Sequence, residues 1–328
     1  MRPYPLLSLL VLLTVLSILL SLASGSSDIG WPGVASLLSG DARPLEEQVI
    51  LELRWPRTAA AFITGALLAV AGGLMQVLLR NPLADPYVLG VSGGAATGAL
   101  LALLLGLGGI HLQGAAFAGA LFSMLLVFGL AHGRGSWTTS RLLLTGVVVA
   151  AGWGALIGFL LALSPEQELR GMLFWLMGDL SRAPLPGMES LVLLAGLLAA
   201  VTIGRSLNIL THGELSAAAL GISVVPLRRL VYLLASLLTA TAVTLAGSVG
   251  FVGLVVPHML RLLGVRDQRL LLPAAALLGG GLLVVADTLA RTLLAPQQLP
   301  VGILTALVGV PLFLVLLHHS RLVHGEAG

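Results

Sequence analysis

The sequence predicts an all-α, polytopic membrane protein with about ten transmembrane helices, in a single domain over residues 1–328. Of the 328 residues, 57% are hydrophobic and only 9% are charged, whereas a soluble domain carries about 25% charged residues. The mean hydropathy is +1.04. Apolar runs recur from residue 5 to residue 319, and no polar stretch between them is long enough to form a separate domain. Lipid is therefore the expected solvent of this chain.

Two features of the composition exclude whole classes of function. All 17 basic residues are arginines, and they lie near predicted membrane boundaries rather than on a surface that would bind nucleic acid. Cysteine is absent, which excludes disulfides, thiolate metal sites and a thiol nucleophile. The histidines are scattered without a convincing ligand pair. We expect no metal site, no catalytic residue and no nucleic-acid partner.

The spans follow from the length of the apolar runs. A helix needs about 20 apolar residues to cross about 30 Å of hydrocarbon. Cutting the chain at charges, prolines and glycine clusters predicts ten spans, at residues 5–24, 58–79, 87–106, 114–132, 141–163, 190–206, 229–247, 248–264, 270–288 and 301–319. The first could instead be a cleaved signal peptide, because Arg2 precedes it and Ala23-Ser24-Gly25 supplies small residues at its end.

The division of the stretch from Leu230 to Gly264 sets the orientation. These residues are too many for one span and barely enough for two, and a glycine-rich break lies in the middle. With ten spans and the N-terminus inside, eleven arginines fall on the cytoplasmic side and six outside, which is the expected positive-inside bias. Merging the stretch into one span would move Arg261, Arg266 and Arg269 outside. We therefore expect both termini to be cytoplasmic.

Two connecting segments offer binding surfaces. At the outer face, Arg54 and Arg57 flank Trp55 and Pro56. This pattern is typical of a membrane-interface anchor, and the alternative is a docking point for the carboxylates of an external partner. On the cytoplasmic side, the residues from Glu214 to Leu220 should form a short helix between glycines. That helix could contact a soluble protein or simply lie in the interface.

Two further segments are rich in glycine. The turn from Arg80 to Gly94 lacks the Gly-Lys-Ser/Thr ending of a nucleotide-binding loop, and no such ending occurs in the chain, so this chain does not hydrolyse ATP by that route. The run from Ala246 to His258 combines close glycines with an intramembrane proline. Such runs mark broken or pore-lining helices in transporters, although close helix packing would also explain the glycines.

Four long motifs together carry a resemblance to a known family. RNPLADPYVLGVSGGA (80–95), HGELSAAALGIS (212–223), GSVGFVGLVVPHMLRLLG (247–264) and LPVGILTALVGVP (299–311) resemble the permease subunits of importers for iron-siderophores, haem and vitamin B12. The resemblance implies a type II ABC importer permease fold in a bacterial inner membrane. It also implies a second copy of the chain, two cytoplasmic ATPase subunits that carry ATP and Mg, and a periplasmic substrate-binding protein. This chain would hold no cofactor.

The resemblance also assigns roles to individual residues. The segment 205–228 matches the ATPase-coupling helices, with the motif residues Gly213, Glu214, Ala218, Leu220 and Gly221. Binding-protein docking would fall on Arg54, Arg57 and Arg291, which reverses the preference for a lipid anchor. The translocation path would run beside the membrane segment that contains Gly247, Ser248, Gly250, Gly253 and Pro257.

The sequence predicts a transport function but does not single out one substrate. The stretch 169–178 and the PHMLRLLG ending look closest to vitamin B12 permeases, whereas residues 179–182 depart from that pattern, so iron-siderophore and haem stay open. One rival is an ion-driven secondary transporter, for which Asp287 is the only marginal mid-membrane acid. A second rival, an intramembrane enzyme, would have to use His258 with Asp287 and has no recognisable nucleophile.

Overall fold

The computed structural model describes residues 3–25, 29–132 and 138–324, with side chains described up to residue 315. This part consists of helices and the loops that connect them, without a strand. The helices are α1 (Pro3–Ala23), α2 (Trp31–Ser39), α3 (Pro44–Gln48), α4 (Trp55–Leu78), α5 (Val91–Leu104), α6 (Gly109–Ala131), α7 (Thr139–Leu163), α8 (Glu166–Leu176), α9 (Gly187–Thr202), α10 (Gly204–Leu210), α11 (Glu214–Ala219), α12 (Val224–Ala246), α13 (Val252–Leu262), α14 (Gln268–Thr292) and α15 (Val301–His324). A π-helical turn (Val49–Arg54) joins α3 to α4, and a 3-10 turn (Pro86–Leu89) precedes α5.

These helices account for the ten predicted spans. Among the described residues, six helices are long and apolar enough to cross a membrane alone, namely α1, α4 with the turns before it, α6, α7, α12 and α14. The pair α9 and α10 would add a seventh span, bent by 61°. The shorter apolar helices α5, α13 and α15 occupy the remaining predicted positions. The all-α polytopic prediction is confirmed, and α1 packs along α14 as part of the bundle.

Several boundaries differ from the prediction, and three of them shape the bundle. The span 190–206 breaks between α9 and α10. α12 begins at Val224 rather than at residue 229. Arg228 therefore lies within the helix, where its guanidinium donates to Glu214 and Thr139. α13 has only 11 residues and is about 16 Å long, roughly half of the hydrocarbon thickness.

Helix α4 is the centre of the bundle because its glycines allow other backbones to approach closely. The Cα of Gly65 lies against the carbonyl oxygen of Gly279 in α14, and the Cα of Gly72 lies against the carbonyl oxygen of Gly253 in α13. Small residues at such crossings give helices in lipid their closest packing. Pro257 has no N–H and cannot bond the Gly253 carbonyl, which instead packs on Gly72.

The break between α12 and α13 is an irregular loop whose backbone groups find partners inside the protein. Gly247 (φ +69°) and Phe251 (φ +70°) take left-handed conformations, and the second is unusual for a side chain of that size. The Tyr87 hydroxyl donates to the Val249 carbonyl oxygen at 3.0 Å and accepts from the Val249 N–H at 3.1 Å. Non-helical backbone at membrane depth persists where protein groups satisfy it in this way.

The bundle has two chemically distinct ends. At the Arg57 end, where α4 begins and α14 finishes, Arg57 pairs with Asp287. At the Glu214 end, where α4 finishes and α12 begins, Glu214 pairs with Arg228 and Arg80.

Replacing Gly72 by alanine tests the contact between α4 and α13. The new Cβ would overlap the Gly253 carbonyl oxygen, so the free energy of unfolding should fall by about 1–3 kcal/mol. The measurement is the midpoint of thermal unfolding in detergent.

A matched control is Gly152→Ala in α7, whose Cβ would meet nothing within 4 Å. Helix propensity favours alanine there by up to about 1 kcal/mol, so the midpoint should hold or rise. Equal effects of the two substitutions would contradict the packing account.

Candidate functional site

The Arg57 end holds a buried carboxylate between two arginines. Arg57 donates from Nε and Nη2 to both Asp287 oxygens at 2.9–3.1 Å and from Nη1 to Gln298 Oε1 at 2.6 Å. Arg291 Nε lies 3.9 Å from Asp287 Oδ2, and its Nη2 donates to Ser21 Oγ at 2.8 Å and to the Ser21 carbonyl oxygen. The paired bonds join α4, α14 and α1, and they neutralise the Asp287 carboxylate.

Arg54 is the third arginine of this end, and it is more deeply buried, with 4% of its surface exposed. Its Nη1 donates to the carbonyl oxygens of Leu22 and Ile29 at 2.6 and 2.7 Å, which fixes the chain after α1. The structure thus brings the three predicted docking arginines around one polar cavity of about 320 Å³, which Ser181 and Gln298 also line. The side chains of the three arginines donate hydrogen bonds to other groups of this same chain.

A larger cavity of about 600 Å³ lies beside the α12–α13 break. Its lining is apolar except for one hydroxyl, and comprises Leu176, Met177, Ser248, Gly302, Ile303, Ala306, Leu307, Val310 and Pro311. Backbone bonds build its wall. The N–H groups of Val301 and Gly302 donate to the carbonyl oxygens of Gly178 and Met177 at 2.9 and 3.1 Å, and the Asp179 N–H donates to the Ala246 carbonyl oxygen at 2.9 Å.

The predicted path residues divide between this cavity and the helix packing. Ser248 lines the cavity, and Gly247 stands behind it, with its Cα against the Trp175 carbonyl oxygen. Gly250 borders open space. Gly253 and Pro257 instead pack against α4 and the turn before α5, so close helix packing accounts for these two.

The apolar lining residues of α8 and α15 were not singled out by the sequence. Met177, Ile303, Leu307 and Val310 have the same chemistry as side chains that face lipid, so composition could not separate them. The only available signals were the resemblance segments 169–178 and 299–311, which contain these residues without assigning them to the path. His258 packs edge-on against Phe313, and the described residues contain no group of three or more potential metal ligands.

The Glu214 end presents the predicted short helix. Gly213 is the N-cap of α11, Glu214 is its first residue, and Gly221 follows its end in a left-handed conformation, which confirms the local prediction. Leu215 and Leu220 are 89% and 69% exposed. Two leucines that face away from the bundle on a helix of six residues form a small apolar surface beside charged groups.

Polar contacts tie this surface to the spans. Glu214 Oε1 lies 3.0 Å from Arg228 Nη1 and 3.7 Å from Arg80 Nη2. On α10, Asn208 donates to Asp267 Oδ1 at 2.9 Å, and Asp267 is the N-cap of α14. Hydrogen bonds from the Arg269 guanidinium and from Asn208 hold the pKa of the Asp267 carboxyl well below its usual range, so this cap is charged at neutral pH.

Comparisons with known proteins agree with this architecture over nearly the whole chain. Residues 12–319 match the model of the FecCD transport family. The chain is 40% identical over 325 residues to the uncharacterized ABC transporter permease protein YvrB of Bacillus subtilis (strain 168), covering 93% of this chain and 91% of that protein. It is 40% identical over 311 residues to the vitamin B12 import system permease protein BtuC of Escherichia coli O127:H6, covering 94% and 93%.

Solved structures give the same result for the fold. A structure described as an inward-facing conformation of a metal-chelate type ABC transporter superposes with a TM-score of 0.83 at 32% identity, covering 97% of this chain and 99% of that chain. PsaBC from Streptococcus pneumoniae in complex with Fab matches in fold, with a TM-score of 0.53 at 18% identity over 83% and 93% of the two chains. The chain therefore belongs to the FecCD transport family and is an integral membrane permease of the ABC importer type.

Proposed function

We propose that the chain is the permease subunit of an ATP-driven importer that moves a metal chelate from the periplasm to the cytoplasm. The observation that carries this proposal is the cavity at the α12–α13 break, of about 600 Å³ and with a single hydroxyl in its lining. A path for a bulky chelate needs room and weak contacts, because tight binding would slow release. Cobalamin is the first candidate, since relatives at 40% identity are vitamin B12 import permeases, and iron-siderophore and haem follow.

The orientation follows from the arginines. The positive-inside bias puts the Glu214 end in the cytoplasm and the Arg57 end outside. The exposed Leu215 and Leu220 of α11 then face the cytoplasm, where a groove on an ATPase subunit would receive the helix. ATP and Mg belong to that partner, and binding and hydrolysis there would switch the access of the cavity between the two sides.

A second copy of the chain would complete the path. Gly154 and Gly158 lie four residues apart on one exposed face of α7, and a Cβ at either would meet nothing within 4 Å. A Gly-xxx-Gly face lets two helices in lipid pack closely. Ile157 and Leu161 on the neighbouring face of α7 belong to one apolar cluster with Met172 of α8, and Leu176 at the end of α8 lines the cavity. A dimer about this region would place two cavities side by side.

Docking of the external protein remains assigned to the cavity at the Arg57 end. Arg57 is its most accessible arginine, with 12% of its side chain exposed against 8% for Arg291. In this structure Asp287 binds the Arg57 guanidinium, which is the group that an external carboxylate would bind. Arg54 instead supports the chain between Leu22 and Ile29, so its replacement would disturb the fold before it disturbed docking.

Co-purification with the ATPase subunit of the same system tests the transport proposal. We expect a complex of two permease and two ATPase chains by native mass spectrometry. In proteoliposomes with the binding protein, this complex should take up cobalamin only when ATP is hydrolysed. Uptake that follows a proton or sodium gradient without ATP would contradict the proposal. Transport of a ferric siderophore or haem in place of cobalamin would correct only the substrate.

Substitutions at the Arg57–Asp287 pair test the docking assignment. Asp287→Asn should strengthen binding of the external protein at low salt, because it leaves the Arg57 charge without its internal partner. The double variant Arg57→Gln with Asp287→Asn should weaken binding roughly tenfold, since a hydrogen bond to a charged group contributes about 1.5–3 kcal/mol. High salt should reduce the differences.

The matched control for docking is Arg43→Gln, because the Arg43 side chain is 84% exposed and pairs only locally with Glu46. Its affinity should equal that of the unaltered chain. Thermal midpoints of all variants check that the fold is kept. Unchanged affinity in the folded double variant would remove Arg57 from the docking surface. Loss of uptake in a folded Asp287→Asn variant would favour the ion-coupled rival, which needs this acid for transport.

A further inference from the structure

Glu214 meets two arginines that come from different parts of the bundle. Arg228 Nη1 donates to Glu214 Oε1 at 3.0 Å, and Arg80 Nη2 lies 3.7 Å from the same oxygen. The Arg228 side chain is 5% exposed, whereas Glu214 and Arg80 are 35% and 44% exposed. Arg228, the closer partner, is thus almost shielded from solvent, so its attraction to the Glu214 carboxylate is weakly screened.

The Arg228 guanidinium reaches a third element as well. Its Nη2 donates to Thr139 Oγ1 at 3.3 Å, at the first residue of α7. Arg80 follows α4 directly and takes a left-handed conformation (φ +48°), which is uncommon for a residue other than glycine. The carboxylate of α11 is therefore held by residues from α12 and from the turn after α4, and the start of α7 contacts Arg228 rather than the carboxylate.

The helix that carries Arg228 ends at the cavity. α12 has 23 residues and is about 34 Å long. At its far end the Ala246 carbonyl oxygen accepts the Asp179 N–H, and two residues later Ser248 lines the cavity. Proline is found only in the first turn of α12, at residue 226, so the commonest cause of a helix kink is absent from its interior. One continuous helix therefore connects Arg228 to the cavity wall.

From this geometry we propose that Arg228 is a positioning residue for energy coupling, which joins the movement of α11 to α12 through Glu214. This inference rests on the proposed ATP-driven transport and deepens it. When a partner moves α11, the partly buried ion pair makes α12 follow, because separation would leave the buried Arg228 charge without the Glu214 carboxylate. Contacts with Arg80 and Thr139 define the resting position of the Glu214–Arg228 ion pair.

The test is the amount of cobalamin transported per ATP hydrolysed, measured in proteoliposomes with the complete complex. Arg228→Gln and Glu214→Gln should each lower this ratio about tenfold, within the usual range of coupling between two sites. The double variant should be no worse than either single variant, because both remove the same interaction. Arg228→Lys keeps the charge and should recover part of the ratio.

The matched control is Arg229→Gln. Arg229 is the next residue of α12, and it donates to His132 at 3.0 Å rather than to α11. Its ratio should equal that of the unaltered chain. The more exposed Glu214→Gln variant keeps the test valid if Arg228→Gln fails to fold.

The outcomes separate this inference from the proposed function. If the unaltered complex shows no ATP-driven uptake, the proposed function itself fails. If that complex transports normally and the two variants at Glu214 and Arg228 keep its ratio, only the role of Arg228 is overturned. Additive losses in the double variant, or a ratio unchanged while complex assembly falls, would also overturn it, because they indicate separate or purely structural roles.

Discussion

The structure depends on backbone-to-backbone contact between α4 and its neighbours. Gly72 meets the Gly253 carbonyl, and Gly65 meets the Gly279 carbonyl. In lipid there is little hydrophobic gain from pressing apolar helices together, so close packing of small residues is the main source of association. These contacts hold the half-length helix α13 beside the C-terminal half of α4. Its short length leaves the irregular loop before it inside the bundle.

The cavity lies beside that loop, whereas two continuous helices would leave no such space. The Tyr87 hydroxyl satisfies both backbone groups of Val249, and backbone bonds between residues 177–179, Ala246 and the start of α15 hold the cavity wall. The side chains of the lining offer a single hydroxyl. Under the proposed function, an external protein would select the cargo and this chain would provide the passage.

Much of the fold could be predicted because each span is an apolar run of sufficient length. The cap at Gly213 and the termination at Gly221 followed from local chemistry. What could not be predicted depends on contacts distant in sequence. Arg228 resembled a boundary residue, yet its partners Glu214 and Thr139 bury it within α12. In the sequence, Gly253 and Gly247 are two glycines of the same run. Only the fold shows that Gly253 packs against α4 and that Gly247 lies at the wall of the cavity.

Reactivity of a single cysteine at Ser248 tests the central claim, that the state of the ATPase decides which side the cavity faces. The chain has no cysteine, so Ser248→Cys introduces a unique thiol at the cavity. A membrane-impermeant thiol reagent would be applied from either side of proteoliposomes that hold the complete complex, without nucleotide and with ATP trapped. The account predicts that the side from which the thiol is labelled changes between the two states. Labelling from the same side at the same rate in both states would contradict it.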